Sequence, residues 1–292
     1  MTKPVLSKHR HISFTAHYTG YIWYKMGISH PQFATTQGKL LAQLAHPFES
    51  CAEKLLGGSM RTTLKTRHQL IDAQLKQRLA DDPQLQVLEI AAGLSPRGWW
   101  FRQHYPEINY RELDLPAMAQ TKQQALQQIE QHSPDVLAFD LLSDEFKQAF
   151  EHFDPARSLL VISEGLINYF DKNMLQQLIQ SIALHGQQFQ RLDYLTDLYP
   201  EPIKHKLANV IWSSSKLLKL ISRSAFSFHF VSPLQVKAFF QQAGFEQVQV
   251  IQPAAAQGNH TTIDAAADSM LDDVHLGDLV WVVHAERIAT QH

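Results

Sequence analysis

The feature that most limits how this chain can fold is an alternation that runs through its last two hundred or so residues. Segments that read as strands, at residues 86–93, 109–113, 135–139, 158–163 and 190–195, are separated by longer polar stretches suited to helices. Strands interleaved with helices are joined by crossovers rather than hairpins, which gives a parallel sheet covered by helices. Two further runs, 245–251 and 279–285, close the chain as a terminal pair of strands, because the loop between them is too short and too rich in Ala and Asp for a second domain. The expectation is an α/β protein with a Rossmann-like, mostly parallel seven-stranded sheet flanked by helices.

Upstream of the sheet the text is helical. Leu40, Leu41 and Leu44, and then Leu64, Leu70, Ile71 and Leu75, recur at helical spacing, with Gly57 and Gly58 dividing two helices. Residues 1–80 therefore read as an N-terminal helical extension or lid, and 81–292 as the core of a single domain spanning 1–292. Between 201 and 223, Ile203, Leu207, Val210, Ile211, Leu217, Leu218 and Ile221 form an amphipathic helical pattern. It reads as a cap insertion at about 197–230, with an ordinary helix packed on the sheet as the alternative from periodicity alone.

Charge and composition narrow the partners. Lys plus Arg number 26 against 28 Asp plus Glu, a formal charge of -2, so nothing draws the chain to nucleic acid or to anionic lipid. A small molecule is the expected partner. The single cysteine, Cys51, excludes an intrachain disulfide and a cysteine-only zinc site, which suits a reducing compartment. The basic start, Met1 to His11, is not followed by an apolar run of secretory length. No window approaches the ~20 apolar residues of a membrane span, so a cytoplasmic location is expected. Sixteen histidines are scattered, and the closest pair, His9 and His11, has no third ligand nearby, so no metal site is expected.

Chemistry is written first at the end of the leading strand, Glu89-Ile-Ala-Ala-Gly93, where small residues let backbone approach a ligand closely. The turn lacks Gly-x-Gly-x-x-Gly, and no Gly-x-x-x-x-Gly-Lys occurs, so neither a dinucleotide pyrophosphate nor a triphosphate has its backbone nest. An adenosyl ligand without phosphates remains. Tyr110-Arg-Glu-Leu-Asp114-Leu-Pro116 puts a carboxylate at the end of the second strand, about 20 residues on, where it can accept ribose hydroxyl hydrogen bonds.

Three blocks in order carry a resemblance: Val87 to Pro116, Val136-Leu-Ala-Phe-Asp140-Leu141, and Phe153-Asp-Pro-Ala-Arg-Ser-Leu-Leu-Val-Ile-Ser-Glu164-Gly-Leu-Ile-Asn-Tyr169. Together, and more loosely with 239–250 and 279–288, they resemble the leucine carboxyl methyltransferase family, which also includes bacterial O-methyltransferases acting on polyketides. The resemblance implies S-adenosyl-L-methionine (SAM) as cofactor and O-methylation of a carboxylate or hydroxyl of a small-molecule acceptor. It places Glu89 and Gly93 in the cofactor turn, Asp114 on the ribose, Asp140 with Leu141 around the adenine and Glu164 beside the cofactor. The alternative for Glu164 is a carboxylate at a helix N-terminus. Arg67 takes the place of a family arginine that pairs with the methionine carboxylate, although Lys65 and Arg61 lie close in sequence.

Tyr169 is the candidate catalytic residue as an acceptor contact, together with Arg97 and the N-terminal aromatics Phe14, His17, Tyr18, Tyr21, Trp23 and Tyr24 as a lid. His17 is also a candidate general base by residue type. Two departures from the family pattern stand out: Ala91 replaces a common glycine, and the usual Asp-x-Arg reads Ser95-Pro96-Arg97, which leaves Arg97 without its common acidic partner. A carboxylate acceptor needs no base, whereas a hydroxyl acceptor needs one within hydrogen-bond reach. Two other classes stay open. A nicotinamide-dependent oxidoreductase requires the glycine-rich turn that is absent, and a catalytically silent relative binds ligand without turnover.

Overall fold

Residues 12–45, 60–201, 227–252 and 280–288 are described by the computed structural model. Most of the cap expected at about 197–230 falls outside them, as do Cys51, Gly57, Gly58, His9 and His11. Seven strands form one sheet: β1 Gln86–Ile90, β2 Tyr110–Asp114, β3 Leu137–Ala138, β4 Leu159–Ser163, β5 Arg191–Leu198, β6 Gln247–Ile251 and β7 Trp281–Ile288. Their order is β3-β2-β1-β4-β5-β7-β6. The first five run parallel, and β7 is antiparallel to both β5 and β6, confirming the terminal pair.

All five residues of β1 and of β4 are buried. Central strands covered on both faces have no solvent side, so their sequences read as continuous apolar runs rather than alternations. The strand order reverses between β1 and β4, and such a switch point opens a crevice at the carboxyl ends of the parallel strands. The edge strand β3 is shorter than the run 135–139 suggests. Val136 N–H donates to the Gln123 side chain at 2.6 Å, so a neighbouring helix, not the sheet, takes up its backbone donor.

Helices α1 Ile12–Lys25, α2 Met60–Asp81, α3 Arg97–His104, α4 Pro116–Leu126, α5 Lys172–Gly186 and α6 Pro233–Gln242 pack around the sheet. Asp171 caps α5 through Met174 N–H, Ser232 caps α6 through Gln235 N–H, and α4 and α6 start on prolines, which are pre-organised for a first helical turn. Alternate residues of β1 enter opposite layers. Val87 meets Ile71, Leu75 and Phe101 of α2 and α3, whereas Leu88 joins Leu178 and Ile182 of α5 and Phe240 of α6. A smaller cluster of Phe33, Leu94, Met118 and Leu126 receives Ala16 and so seats α1 over the β1 turn. Among the described residues no helix is long and apolar enough to cross a membrane.

Candidate functional site

The carboxyl end of β1 turns sharply. Ala91 and Gly93 both have positive φ, 50° and 48°, and a side chain on Gly93 would begin 3.0 Å from Ala16 Cβ of α1. Ala91 is therefore more than a mild replacement for glycine: an L residue in this region carries about 1–2 kcal/mol of strain, and neighbours must hold it there. They do so from several directions. Ala92 N–H donates to Leu113 O at 3.0 Å, and Gly93 N–H donates to Asp114 Oδ2 at 2.7 Å. From beneath, Lys122, fully buried and ion-paired to Glu112, places Nζ 3.3 Å from Ala92 O.

Asp114 also accepts from Leu115 N–H through Oδ1, at 2.7 Å. Burial pushes its carboxyl above the usual range, and the two amides pull back only in part. Each oxygen keeps a lone pair beyond its backbone bond. Ala138 pairs with Asp114 across β2 and β3, which puts Asp140 and Leu141 just past the end of the neighbouring strand. Asp140 Oδ1 accepts from Leu142 N–H at 3.0 Å, and Leu141 is buried in the main core. Gly93, Asp114 and Asp140 thus sit along the adjoining ends of β1, β2 and β3.

Glu164, Arg67 and Glu89 belong to a second, buried group at the ends of β1 and β4. Arg67 of α2 donates through Nε to Glu164 Oε1 at 2.9 Å, while Lys65 faces solvent. Gly165, at φ 69°, lies flat against this guanidinium, and a Cβ there would sit 3.2 Å from Nη2. Arg97 donates to Asp72 at 2.6 Å, to Glu89 at 2.7 Å and to Glu164 at 2.5 Å. Tyr110 O–H takes the other Glu89 oxygen at 2.8 Å.

Arg97, without the acid common at its turn, is served instead by carboxylates from α2, β1 and the end of β4. Arg97 is not an acceptor contact, because its side chain is 0% exposed and serves these three acids. Glu164 does not cap an α-helix; Arg67, Arg97 and His68 Nδ1, at 2.8 Å, converge on it. Burial alone would raise its pKa, but His68, Arg67 and Arg97 hold it well below the usual carboxylate range.

Beyond Arg67 lie the ends of β5 and of the turn after β4. Arg67 Nη1 is 3.5 Å from Asp197 Oδ2 and donates to the Tyr199 hydroxyl at 3.4 Å. Tyr169 donates to Thr15 Oγ1 of α1 at 3.4 Å, and burial raises its pKa, so the phenol stays a neutral donor. The aromatic N-terminal group divides. Trp23 packs its ring 5.3 Å from that of His68, Tyr18 and Tyr21 pack against Ile22, Ala42 and Leu64, and Tyr24 is 39% exposed; the side chain of Phe14 lies outside the described residues. His17 Nδ1 is engaged with Thr35 Oγ1 at 2.9 Å, and burial lowers its pKa.

Sequence reasoning missed His68, Asp72, Lys122, Asp197 and Tyr199. A signal for one of them was present: residues 64, 67, 68, 71, 75, 78 and 79 share the buried face of α2, so His68, with Arg67 and Arg78, interrupts an apolar stripe. Elsewhere, Asp193, His284 and Glu286 bring ligand atoms within 4.8 Å of one another. Arg78 and Arg191 already bond their carboxylates, so this group is poorly suited to a cation.

No curated protein matches the chain. Among solved structures, a putative methyltransferase from Thermobifida fusca YX aligns over 94% of both chains at 12% identity with a TM-score of 0.62, which establishes the fold. Human N-acetylserotonin methyltransferase in complex with SAM aligns over 98% of this chain and 72% of that one at 13% identity, TM-score 0.47. PigF with SAH aligns over 69% of this chain, which spans only half (50%) of that protein, at 12% identity and TM-score 0.44. The family model for leucine carboxyl methyltransferase matches residues 30–183, more than half of the chain and all of the turn, Asp114 and Glu164. The chain belongs to the leucine carboxyl methyltransferase family.

Proposed function

We propose that this protein is a SAM-dependent O-methyltransferase acting on a carboxylate or hydroxyl of a small molecule. The observation that carries the reading is the joined geometry of the strand ends: the Gly93 amide fixed on Asp114 beside an Arg67–Glu164 pair. The residues fit an adenosyl amino acid. Asp114 offers lone pairs to ribose hydroxyls, Asp140 and Leu141 flank the place for the adenine, and Arg67 offers a planar cation to a carboxylate. When bound, SAM supplies an electrophilic methyl group on a sulfonium.

The chain's own work is then positioning and exclusion of water, which govern an in-line displacement. Gly93 lets α1 close over the turn, because a side chain there would begin 3.0 Å from Ala16 Cβ. Glu164, held by Arg67, His68 and Arg97, fixes the direction of the Arg67 fork. Tyr169 stays protonated, and its single O–H, donated to Thr15 in the ligand-free protein, turns to the acceptor oxygen when an acceptor is bound. The Tyr169–Thr15 contact ties that group to α1, which lies over the turn and serves as the lid.

Isothermal titration of the protein with SAM, S-adenosylhomocysteine (SAH) and a nicotinamide dinucleotide tests this. Binding of both adenosyl ligands, weakened by about 10- to 100-fold in Asp114→Ala by loss of charge-assisted hydrogen bonds, is expected. No binding to the folded protein, or preference for the dinucleotide, rejects the reading. Binding with no methyl transfer to any carboxylate or hydroxyl acceptor identifies a silent relative.

A further inference from the structure

Asp197 is a buried acid that the fold leaves incomplete; Glu112 Oε1 also lacks a hydrogen-bond partner but is closely ion-paired to Lys122. Asp197 lies one residue before the end of β5 at 1% exposure, and its Oδ1 accepts from Gly165 N–H at 2.6 Å. Oδ2 is buried yet has no hydrogen-bond partner among the described residues; its nearest charged neighbour is Arg67 Nη1 at 3.5 Å. A buried carboxylate oxygen without a donor is costly, and stable folds rarely keep one without use. The surrounding charges do not cancel it. Asp72, Glu89, Glu164 and Asp197 face only the guanidiniums of Arg67 and Arg97, and a proton on His68 would still leave the acids in excess.

That excess calls for a cation delivered by a ligand. A metal ion is poorly served: hard cations take six or more oxygens, and the Glu164 oxygens already receive Arg67, His68 and Arg97. An ammonium needs only what is present, because three N–H donors can use one free carboxylate oxygen and nearby hydroxyl oxygens. The proposed cofactor carries such a group. Its amino-acid end is a zwitterion, and the functional reading above, on which this inference rests, provides Arg67 for the carboxylate and nothing for the ammonium.

We infer that Asp197 Oδ2 receives the α-ammonium of the methyl donor, so that Arg67 of α2 and Asp197 of β5 form a two-charge clamp for its amino-acid end. The spacing suits this: a guanidinium and a carboxylate 3.5 Å apart present opposite charges side by side, as the two ends of an α-amino acid do. Burial drives the Asp197 carboxyl towards its neutral form, with Arg67 opposing, and a ligand ammonium stabilises the ionised form. Recognition at this point selects ligands that retain the whole amino acid.

Three ligands separate the contributions: SAH; its analogue with hydrogen in place of the α-amino group; and 5′-methylthioadenosine, which lacks the amino-acid end. Titrated into the full-length wild-type protein, the deaminated analogue is expected to bind about 10- to 100-fold more weakly than SAH. Asp197→Asn is expected to lose a similar factor for SAH and almost none for the deaminated analogue or methylthioadenosine, so that the first two ligands become nearly equal. Unchanged SAH affinity in Asp197→Asn, or equal losses for SAH and methylthioadenosine, overturns the clamp. Loss confined to SAM, with SAH unaffected, also overturns it and moves Asp197 to the sulfonium. If Asp197→Asn does not fold, the wild-type comparison decides alone, and equal affinities for SAH and its deaminated analogue reject the inference. Wild-type protein that binds none of the three rejects the methyl-donor reading itself, a result distinct from failure of the clamp.

Discussion

Asp193 and Asp197 lie four residues apart on β5, both buried and both served by arginines of α2, yet their surroundings are opposite. Asp193 is saturated: His284 is 2.8 Å from Oδ1, and Arg78 and Arg191 are 3.0 and 3.2 Å from Oδ2. Burial would raise its pKa, but His284, Arg78 and Arg191 bring it below the usual range. Asp197 has one bonded oxygen and one orphan, and there burial prevails and the pKa rises.

Geometry explains why one helix serves both. Eleven residues of α2, from Arg67 to Arg78, rise about 16 Å, close to the about 13 Å spanned by four residues of β5. The two elements thus exchange charge at both ends of the sheet. Away from the crevice the Asp193 carboxylate is completed by the scaffold at both oxygens, whereas at the crevice the Asp197 carboxylate is satisfied at only one.

The largest expected effect lies at the satisfied end. Asp193→Ala removes the acceptor of the buried Arg78 Nη2 and His284 Nε2, while Arg191 keeps Glu286, and should cost about 3–5 kcal/mol of unfolding free energy in urea titrations. The folded variant should retain wild-type SAH affinity; a cost below 1 kcal/mol removes the contrast.

Acid titration probes the same contrast through its sign. Glu164, Glu112 and Asp193 have folded pKa values below their unfolded ones, so their stabilisation is complete above about pH 5 and is lost as pH falls through the folded values. Asp114 and Asp197 have raised values and act oppositely: the native state takes up their protons first, so their contribution rises as pH falls. Urea midpoints between pH 7 and 3 should therefore fall less steeply in Asp193→Asn than in wild type, and more steeply in Asp197→Asn.

At neutral pH, Asp197→Asn should leave the ligand-free protein as stable or about 1 kcal/mol more stable, because the orphan charge disappears while Gly165 keeps its acceptor. Destabilisation by more than about 2 kcal/mol would make Asp197 a scaffold group like Asp193. The smallest effect extends the contrast to the backbone. Ala91→Gly relieves a positive φ and should raise stability by about 0.5–1 kcal/mol, measured by thermal unfolding. A turn that gains nothing is not strained.

The sheet was legible because its signal is local. The apolar runs at β1 and β4 are short, set apart by helical text and buried throughout, so pattern alone reports them, whereas the mixed sequences of β2 and β5 are legible from their place in the alternation. The edge strand β3 was overestimated because Gln123, thirteen residues away, claims the backbone donor of Val136. Gly93 and Asp114 were legible because backbone approach requires a small residue and the turn is fixed by residues close in sequence.

What the sequence by itself determined is the alternation that forces a parallel sheet, the glycine turn after β1, the carboxylate after β2 and the absence of a phosphate nest. Only the tertiary structure decided how the charges are shared. Arg97 draws acids from three elements, Arg67 meets Glu164 across 97 positions, and Asp193 and Asp197 part ways according to what α2 and β7 bring to them. A backbone pattern is set by neighbours along the chain, whereas a buried charge is set by whatever packs within a few ångströms of it, and that is known only once distant segments have met.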